Sequence, residues 1–270
     1  MRNSPKFLLF LLLFSFLKIT AQGDLMVMPK RVIFDGSDRS KEVNIANTGT
    51  DTATYAISFI QYKMAEDGNF IQIEEPEEGQ RFASDYLRYY PRRVSLAPNE
   101  AQTIRLQLSK TGEMTEGEYR SHLYFRAVEK QTALAKEDLQ KEEDGISINI
   151  RTVFGISIPV IVRRGSTAAE VELKNLQLKV EESPLLSLDI FRSGNQSVYG
   201  NFTVTYKAKG QPEVVIGKVN GISVYTPNEK RHFIFPLQTV ENIDFTKGSI
   251  EVHYEDIKAK ASATATLELN

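Results

Sequence analysis

From Ile146 to Arg164 the chain runs ISINIRTVFGISIPVIVRR. Ile146, Ile148, Ile150, Phe154, Ile156, Ile158, Val160 and Val162 share one side of a two-residue period, with Thr152 the one hydroxyl among them. Such a period predicts an extended strand with a continuous apolar face. Ordinary strands end after about five or six residues. This one outlasts an ordinary sheet, so part of its ridge is expected to lack a partner within the chain. Pro159 cannot donate to a ladder and belongs on an edge or at a bend. A long apolar edge is normally blunted, and its retention here calls for a use.

The same period recurs along the chain. Leu25–Phe34, Lys41–Asn47, Ala53–Met64, Phe70–Ile73, Arg92–Leu96, Ala101–Leu108 and Gly117–Val128 are predicted strands, with Asp85–Tyr90 a further extended stretch. Val43, Ile45, Tyr55, Ile57, Phe59, Ile104, Leu106, Leu108, Tyr119, Leu123 and Phe125 are the expected core. Asp35-Gly36 and Asp67-Gly68 are turn signals. Glu74–Gly79 is an acidic, solvated loop, and Glu129–Gly145 is a charged loop with room for a helical turn or two. Strands at 8–12-residue spacing argue for an immunoglobulin-like sandwich. Arg163-Arg164-Gly165-Ser166-Thr167 is a polar stop with a glycine hinge. Beyond it the pattern resumes in Val171–Val180, Leu185–Phe191, Tyr199–Ala208, Val214–Val224, Arg231–Pro236, Ser249–Tyr254 and Ala259–Leu269. The expected fold is all-β, two immunoglobulin-like β-sandwich domains, at 22–164 and 165–270.

The first residues stand outside this pattern. Arg2 and Lys6 precede the apolar run Phe7–Leu17, and Ile19-Thr20-Ala21 offers a cleavage point before Gln22. Residues 1–21 therefore have the make-up of a secretory signal peptide, too short in its apolar run for a comfortable membrane span. No second long apolar segment follows, so no membrane insertion is expected after its removal. The expected location is the periplasm.

Composition narrows the chemistry. The chain has 270 residues, 41% hydrophobic and 25% charged, with a formal charge of −2. These are globular values, and the balance gives no basic surplus for nucleic acid. There is no cysteine, which removes disulfides, thiol catalysis and cysteine-ligated metals. His122, His232 and His253 are scattered without metal-ligand spacing. No nucleophile elbow or glycine-rich phosphate loop is present. The chain is expected to be no enzyme, with neither cofactor nor metal. Tyr86, Tyr89 and Tyr90 lie close together; they leave a carbohydrate-binding sandwich open, although tyrosines beside a turn more often pack locally. Two Asn-X-Ser/Thr sequons, at Asn195 and Asn201, are short patterns of little weight.

Several of these segments resemble one family. Arg31-Val32-Ile33-Phe34-Asp35-Gly36, then EVNIANTGTDTATYAISF, then Ser95-Leu96-Ala97-Pro98 with QTIRLQL, then GEYRSHLYFRAV, follow the order and spacing of the PapD-like periplasmic chaperones of pilus assembly. A charged loop and a long alternating strand ending in arginine complete the likeness. It covers residues 24–164 well and continues weakly beyond, where Asn242-Ile243-Asp244-Phe245 matches an acidic residue facing the cleft.

The resemblance implies an L-shaped pair of domains around a cleft. It implies that the last strand of the first domain is donated to an incomplete pilin-like subunit, a form of β-augmentation. Ile146, Ile148, Ile150 and Phe154 would be the partner-binding strand. Arg31 would anchor the subunit's carboxylate, with Arg151 a further possibility, and Arg163, Arg164 and Asp244 would face the interdomain cleft. An outer-membrane usher is the other partner that it raises. The sequence also departs from the family. The second anchor, a lysine on the last strand, is here Pro159 or Val160 depending on register, and the acidic residue before the fourth-strand proline is Ala97. A rival expectation is an immunoglobulin-like structural adaptor of an exported assembly with no folding role; a separate alternative is that all the even positions of Ile146–Arg164 face the domain's own core.

Overall fold

A computed structural model describes residues 25–128, 154–180, 183–240 and 243–269. In chain order the first strands are β1 (Leu25–Met28), β2 (Val32–Phe34), β3 (Ser40–Asn47), β4 (Ala53–Met64) and β5 (Phe70–Ile73). There follow β6 (Leu87–Tyr90), β7 (Arg93–Leu96), β8 (Ala101–Leu108), β9 (Gly117–Val128) and β10 (Gly155–Arg164). The second half holds β11 (Ala169–Lys179), β12 (Leu185–Gly194), β13 (Val198–Lys207), β14 (Val214–Val224), β15 (Lys230–Pro236), β16 (Gly248–Asp256) and β17 (Ala261–Leu269).

These strands form four sheets, and no sheet mixes the two halves. The first half pairs β1-β3-β8-β6 against a sheet ordered β2-β10-β9-β4-β5. The 12-residue β4 takes β7 along Ala53–Ala56 and β5 along Gln61–Met64. The second half pairs β11-β12-β15 and β14-β13-β16-β17. The first core collects Phe34, Val43, Ile45, Ile104, Leu106, Leu123 and Phe125, as alternation predicts. In the second, Phe202, Phe233 and Phe235 pack against one another, their ring centres 5.2–5.8 Å apart, amid Leu186, Leu188, Ile190, Val204, Ile250 and Val252.

Two expectations change. Leu25–Phe34 is not one strand. β1 pairs with β3 in one sheet and β2 with β10 in the other, and Pro29, which has no N–H for a ladder, lies in the crossing. The apolar ridge also has an owner from Ile156 onward. Ile158, Val160 and Val162 are buried in the first core and Ile156 packs against it. A strand's even positions share one face, and here that face closes this protein's own sandwich.

Candidate functional site: a half-free edge and an interdomain cleft

β10 is flanked unequally. On one side β9 pairs with its whole length, from Gly155 opposite Arg126 to Arg164 opposite Gly117. On the other, β2 runs parallel to it only at Val160–Val162. No strand among the described residues lies beside the outer edge of Gly155–Pro159, and Pro159 stands where the pairing with β2 stops. Phe154, just before the strand, is 66% exposed. Ile146, Ile148, Ile150 and Arg151 lie outside the described residues.

Arg31 enters β2 at the seam between the two sandwiches. Its Nη2 donates to the Tyr225 hydroxyl at 2.5 Å, and its guanidinium lies 3.8 Å from the centre of the Tyr199 ring. The adjoining cleft, about 600 Å³, is lined by Lys30, Arg31, Lys41, Glu42 and Arg163 from the first half and by Tyr199, Glu255, Asp256 and Lys258 from the second. Arg120 on β9 approaches the same tyrosine, 4.3 Å from the Tyr225 ring centre. Arg120 faces Ile161 across the β9–β10 pair, and Ile161 faces Ile33. A second cation thus lies one strand away from the position where Pro159 or Val160 left the last strand without one. Burial pushes the Arg120 guanidinium below the usual arginine value, Tyr225 and Glu118 oppose this, and Arg31 adds to it. Its Nε and Nη1 are buried without a hydrogen-bond partner among the described residues, in a place where an unpaired charge is costly.

The other cleft residues have different tasks. Arg163, its side chain 7% exposed, donates from Nε to Glu118 Oε2 at 3.2 Å. Glu118 also accepts the Ser197 backbone N–H at 3.1 Å and the Ser197 hydroxyl. Arg163 is therefore spent on a buried junction between the halves. Arg164 is exposed at the end of β10. Asp244 is not brought to the cleft. It accepts from Thr246 in the turn before β16 and pairs with Lys247. Asp256, which lines the cleft, ends that strand, roughly 25 Å away at about 3.3 Å per residue.

His122 sits beside this seam with Tyr62 and Phe70 edge-on to its ring, at 5.0 and 5.4 Å. Burial, then Arg120 and Arg31, push its pKa from 6.5 down to about 3. The native imidazole is neutral where the unfolded one takes a proton. Unfolding therefore takes up a proton between those values, and stability falls as pH drops from 6.5 toward 3, by up to about 1.4 kcal/mol per pH unit. Urea titrations across this range are expected to show that slope in the parent and a flatter one in His122→Phe, whose ring suits the same aromatic cluster and removes the unpartnered Nδ1. His232 pairs with Asp189 at 2.7 Å and His253 with Thr264 at 2.9 Å. No group of three or more metal-ligating side chains occurs among the described residues, and none of their helices is long and apolar enough to cross a membrane. Tyr86 packs on Tyr119 and Tyr89 on Phe59, leaving Tyr90 exposed.

Arg120, Glu118, Tyr199 and Tyr225 were not singled out by sequence reasoning. One signal was available. In GEYRSHLYFRAV the core residues Tyr119, Leu123 and Phe125 leave Glu118, Arg120 and His122 together on the opposite face. All three are buried, so that face is covered by partners of its own.

No protein-family model matches the chain, and no curated protein does. Solved structures do align with it over most of its length. Several of them are chaperones. The CupB2 chaperone of Pseudomonas aeruginosa is 18% identical, with 91% of this chain and 100% of that one covered and a TM-score of 0.43. The CsuC–CsuE chaperone–tip subunit pre-assembly complex of Acinetobacter baumannii gives 11% identity, 90% and 98% coverage and a TM-score of 0.47. The E. coli chaperone DraB gives 11%, 91% and 96%, and 0.43.

Proposed function

We propose that this protein is an exported chaperone of fimbrial subunits, divided at the hinge into units 22–164 and 165–270. On this reading residues 1–21 direct it to the periplasm, where it lends the strand that ends in β10 to a subunit lacking one. The observation that carries this is the outer edge of Gly155–Pro159, which no described strand covers, with Phe154 exposed beside it. A subunit missing a strand exposes an apolar groove and unpaired backbone groups, and a strand meets both needs. Each large apolar side chain seated in the groove contributes about 1.5–3 kcal/mol, and each ladder bond roughly 0.5–1.5 kcal/mol net. Ile146, Ile148, Ile150 and Phe154 are the side chains assigned to the groove. Arg31, joined by Arg120 on β9, is assigned to the subunit's terminal carboxylate, with Arg151 as a further candidate. Charge-assisted bonds of this kind are worth about 1.5–3 kcal/mol each. The protein acts by binding alone, without catalysis or cofactor.

The burial of Ile156, Ile158, Val160 and Val162 favours a second reading, a structural adaptor that donates nothing. One experiment separates the two. Exchanging Ile148 and Ile150 together for aspartate is expected to abolish co-purification of a native client while the melting curve of the free protein stays unchanged. Unfolding of that variant, or undiminished capture, overturns strand donation.

A further inference from the structure

The β4–β5 hairpin leaves its own sheet and touches the second sandwich. The His232 N–H donates to the Glu66 carbonyl at 2.6 Å, and Asn228 Nδ2 donates to the Met64 carbonyl at 2.7 Å. Lys230 Nζ lies 2.8 Å from Glu66 Oε2. The Arg231 guanidinium is laid over Gly68, where φ is +88° and any Cβ would collide with it. Arg231 is itself tethered by Nη1 to the Ser223 carbonyl at 2.7 Å. β15 pairs with β12 on one side only, and the hairpin tip covers the start of its other edge.

This contact and the Arg31 cleft lie at opposite margins of one sheet. The order is β2-β10-β9-β4-β5, with Arg31 leading into β2 and the tip joining β4 to β5. Both margins reach Tyr225: Phe70 on β5 packs 5.9 Å from its ring centre, and Arg31 donates to its hydroxyl. Between them Ile161, Met64 and Tyr225 form a small buried apolar cluster. The second sandwich thus rests on a central pivot, tied down at one margin and facing the cleft at the other. The ties differ in kind. The Glu118–Arg163–Ser197 junction is buried. The hairpin's ion pair joins side chains 35% and 67% exposed, the sort of pair that contributes little by itself, and contacts between domains of one chain ordinarily permit relative motion.

We propose that the β4–β5 hairpin is a latch that sets the tilt of the second sandwich and, through it, the width of the cleft at Arg31. With the tip seated, Tyr199 closes on Arg31. With it lifted, the sandwich rocks about the Ile161–Met64–Tyr225 pivot, and the edge of β15 at Lys230–His232 is uncovered. This holds whatever the protein binds, since it rests only on contacts within the chain.

The absence of cysteine permits spin labels at Gln102→Cys and Lys218→Cys, exposed positions on β8 and β14. Double electron–electron resonance between them reads the tilt, and hydrogen exchange at the His232 amide reads the latch. Gly68→Val is expected to shift or broaden the distance distribution and to raise His232 exchange at least tenfold. Lys230→Glu, which sets two carboxylates against each other and leaves the Gly68 backbone unstrained, is expected to act in the same direction and decides the matter should Gly68→Val fail to fold. Unchanged distances overturn the proposal, whether His232 stays protected or becomes exposed, because the tip would then not govern the tilt.

Discussion

Glu118→Ala is expected to cost the protein about 3–5 kcal/mol, the usual loss when one partner of a buried ion pair is removed. Glu118 stands on the face of β9 turned away from the first core and is fully buried at the junction of the halves. Its two oxygens accept from Arg163 and from the backbone and hydroxyl of Ser197. Without them Arg163, its side chain 7% exposed, keeps Asp35 at 3.9 Å as its one ion-pair partner among the described residues, and the Ser197 N–H loses its acceptor. Urea denaturation followed by tyrosine fluorescence measures the loss. A Glu118→Gln variant is expected to recover part of it, because an amide oxygen still accepts from Ser197 while the charge opposite Arg163 is gone. A loss below about 1 kcal/mol in Glu118→Ala would place the junction among surface ion pairs and would mean that it does not hold the two halves together.

The second large effect separates two neighbouring parts of one strand pattern. Ile158→Asp is expected to unfold the first sandwich, or to destabilise it by more than about 4 kcal/mol, since it places an unpaired carboxylate in a fully apolar core. Phe154→Asp, four residues earlier and on the same side of the period, is expected to stay within about 0.5 kcal/mol of the parent, the range of ordinary surface changes. Ile158 is 3% exposed and packs with Val160 and Leu123, whereas Phe154 is 66% exposed. Thermal melts of the two variants suffice. Equal stability would mean that the ridge changes owner at some point other than Phe154–Ile156.

That boundary shows what the sequence could convey. Alternation located the ladder of strands, and several bounds, among them Ala53–Met64, Ala101–Leu108, Gly117–Val128 and Val214–Val224, agree with the structure. It did so because a half-buried strand must place every second side chain inside. Alternation tells which side of a strand is apolar, but not what lies against it. From Ile156 onward the ridge faces the protein's own core, and nothing in the residues themselves marks that point. The same blindness explains Leu25–Phe34, where one apolar run is shared between two sheets, although Pro29 hinted at a break. The seam was the least legible. Arg31 drew notice only through a family likeness, and Asp244, assigned to the cleft by the same likeness, sits in the turn before β16, whose other end lines the cleft. Tyr199, Tyr225 and Arg120 come from three strands or their ends, far apart in the chain, and meet only once both sandwiches have formed. Residues so assembled leave no local period. Their one trace was the run of ionisable side chains on the back of β9, which is buried.

The parallel pairing of β2 with β10 also dictates an order of events. Val32 is matched to Val160, so an early stretch of the chain and the last stretch of the first half must meet to complete one sheet. Contacts this distant along the chain form late, because the ends of a long loop must be brought together first. A chain synthesised from its N-terminus presents Val32–Phe34 long before its partner arrives. Until then β9 has an open flank, and only the arrival of β10 closes the barrier between the interior and solvent. The strand proposed to serve another protein is thus also the one whose entry completes this protein's own folding.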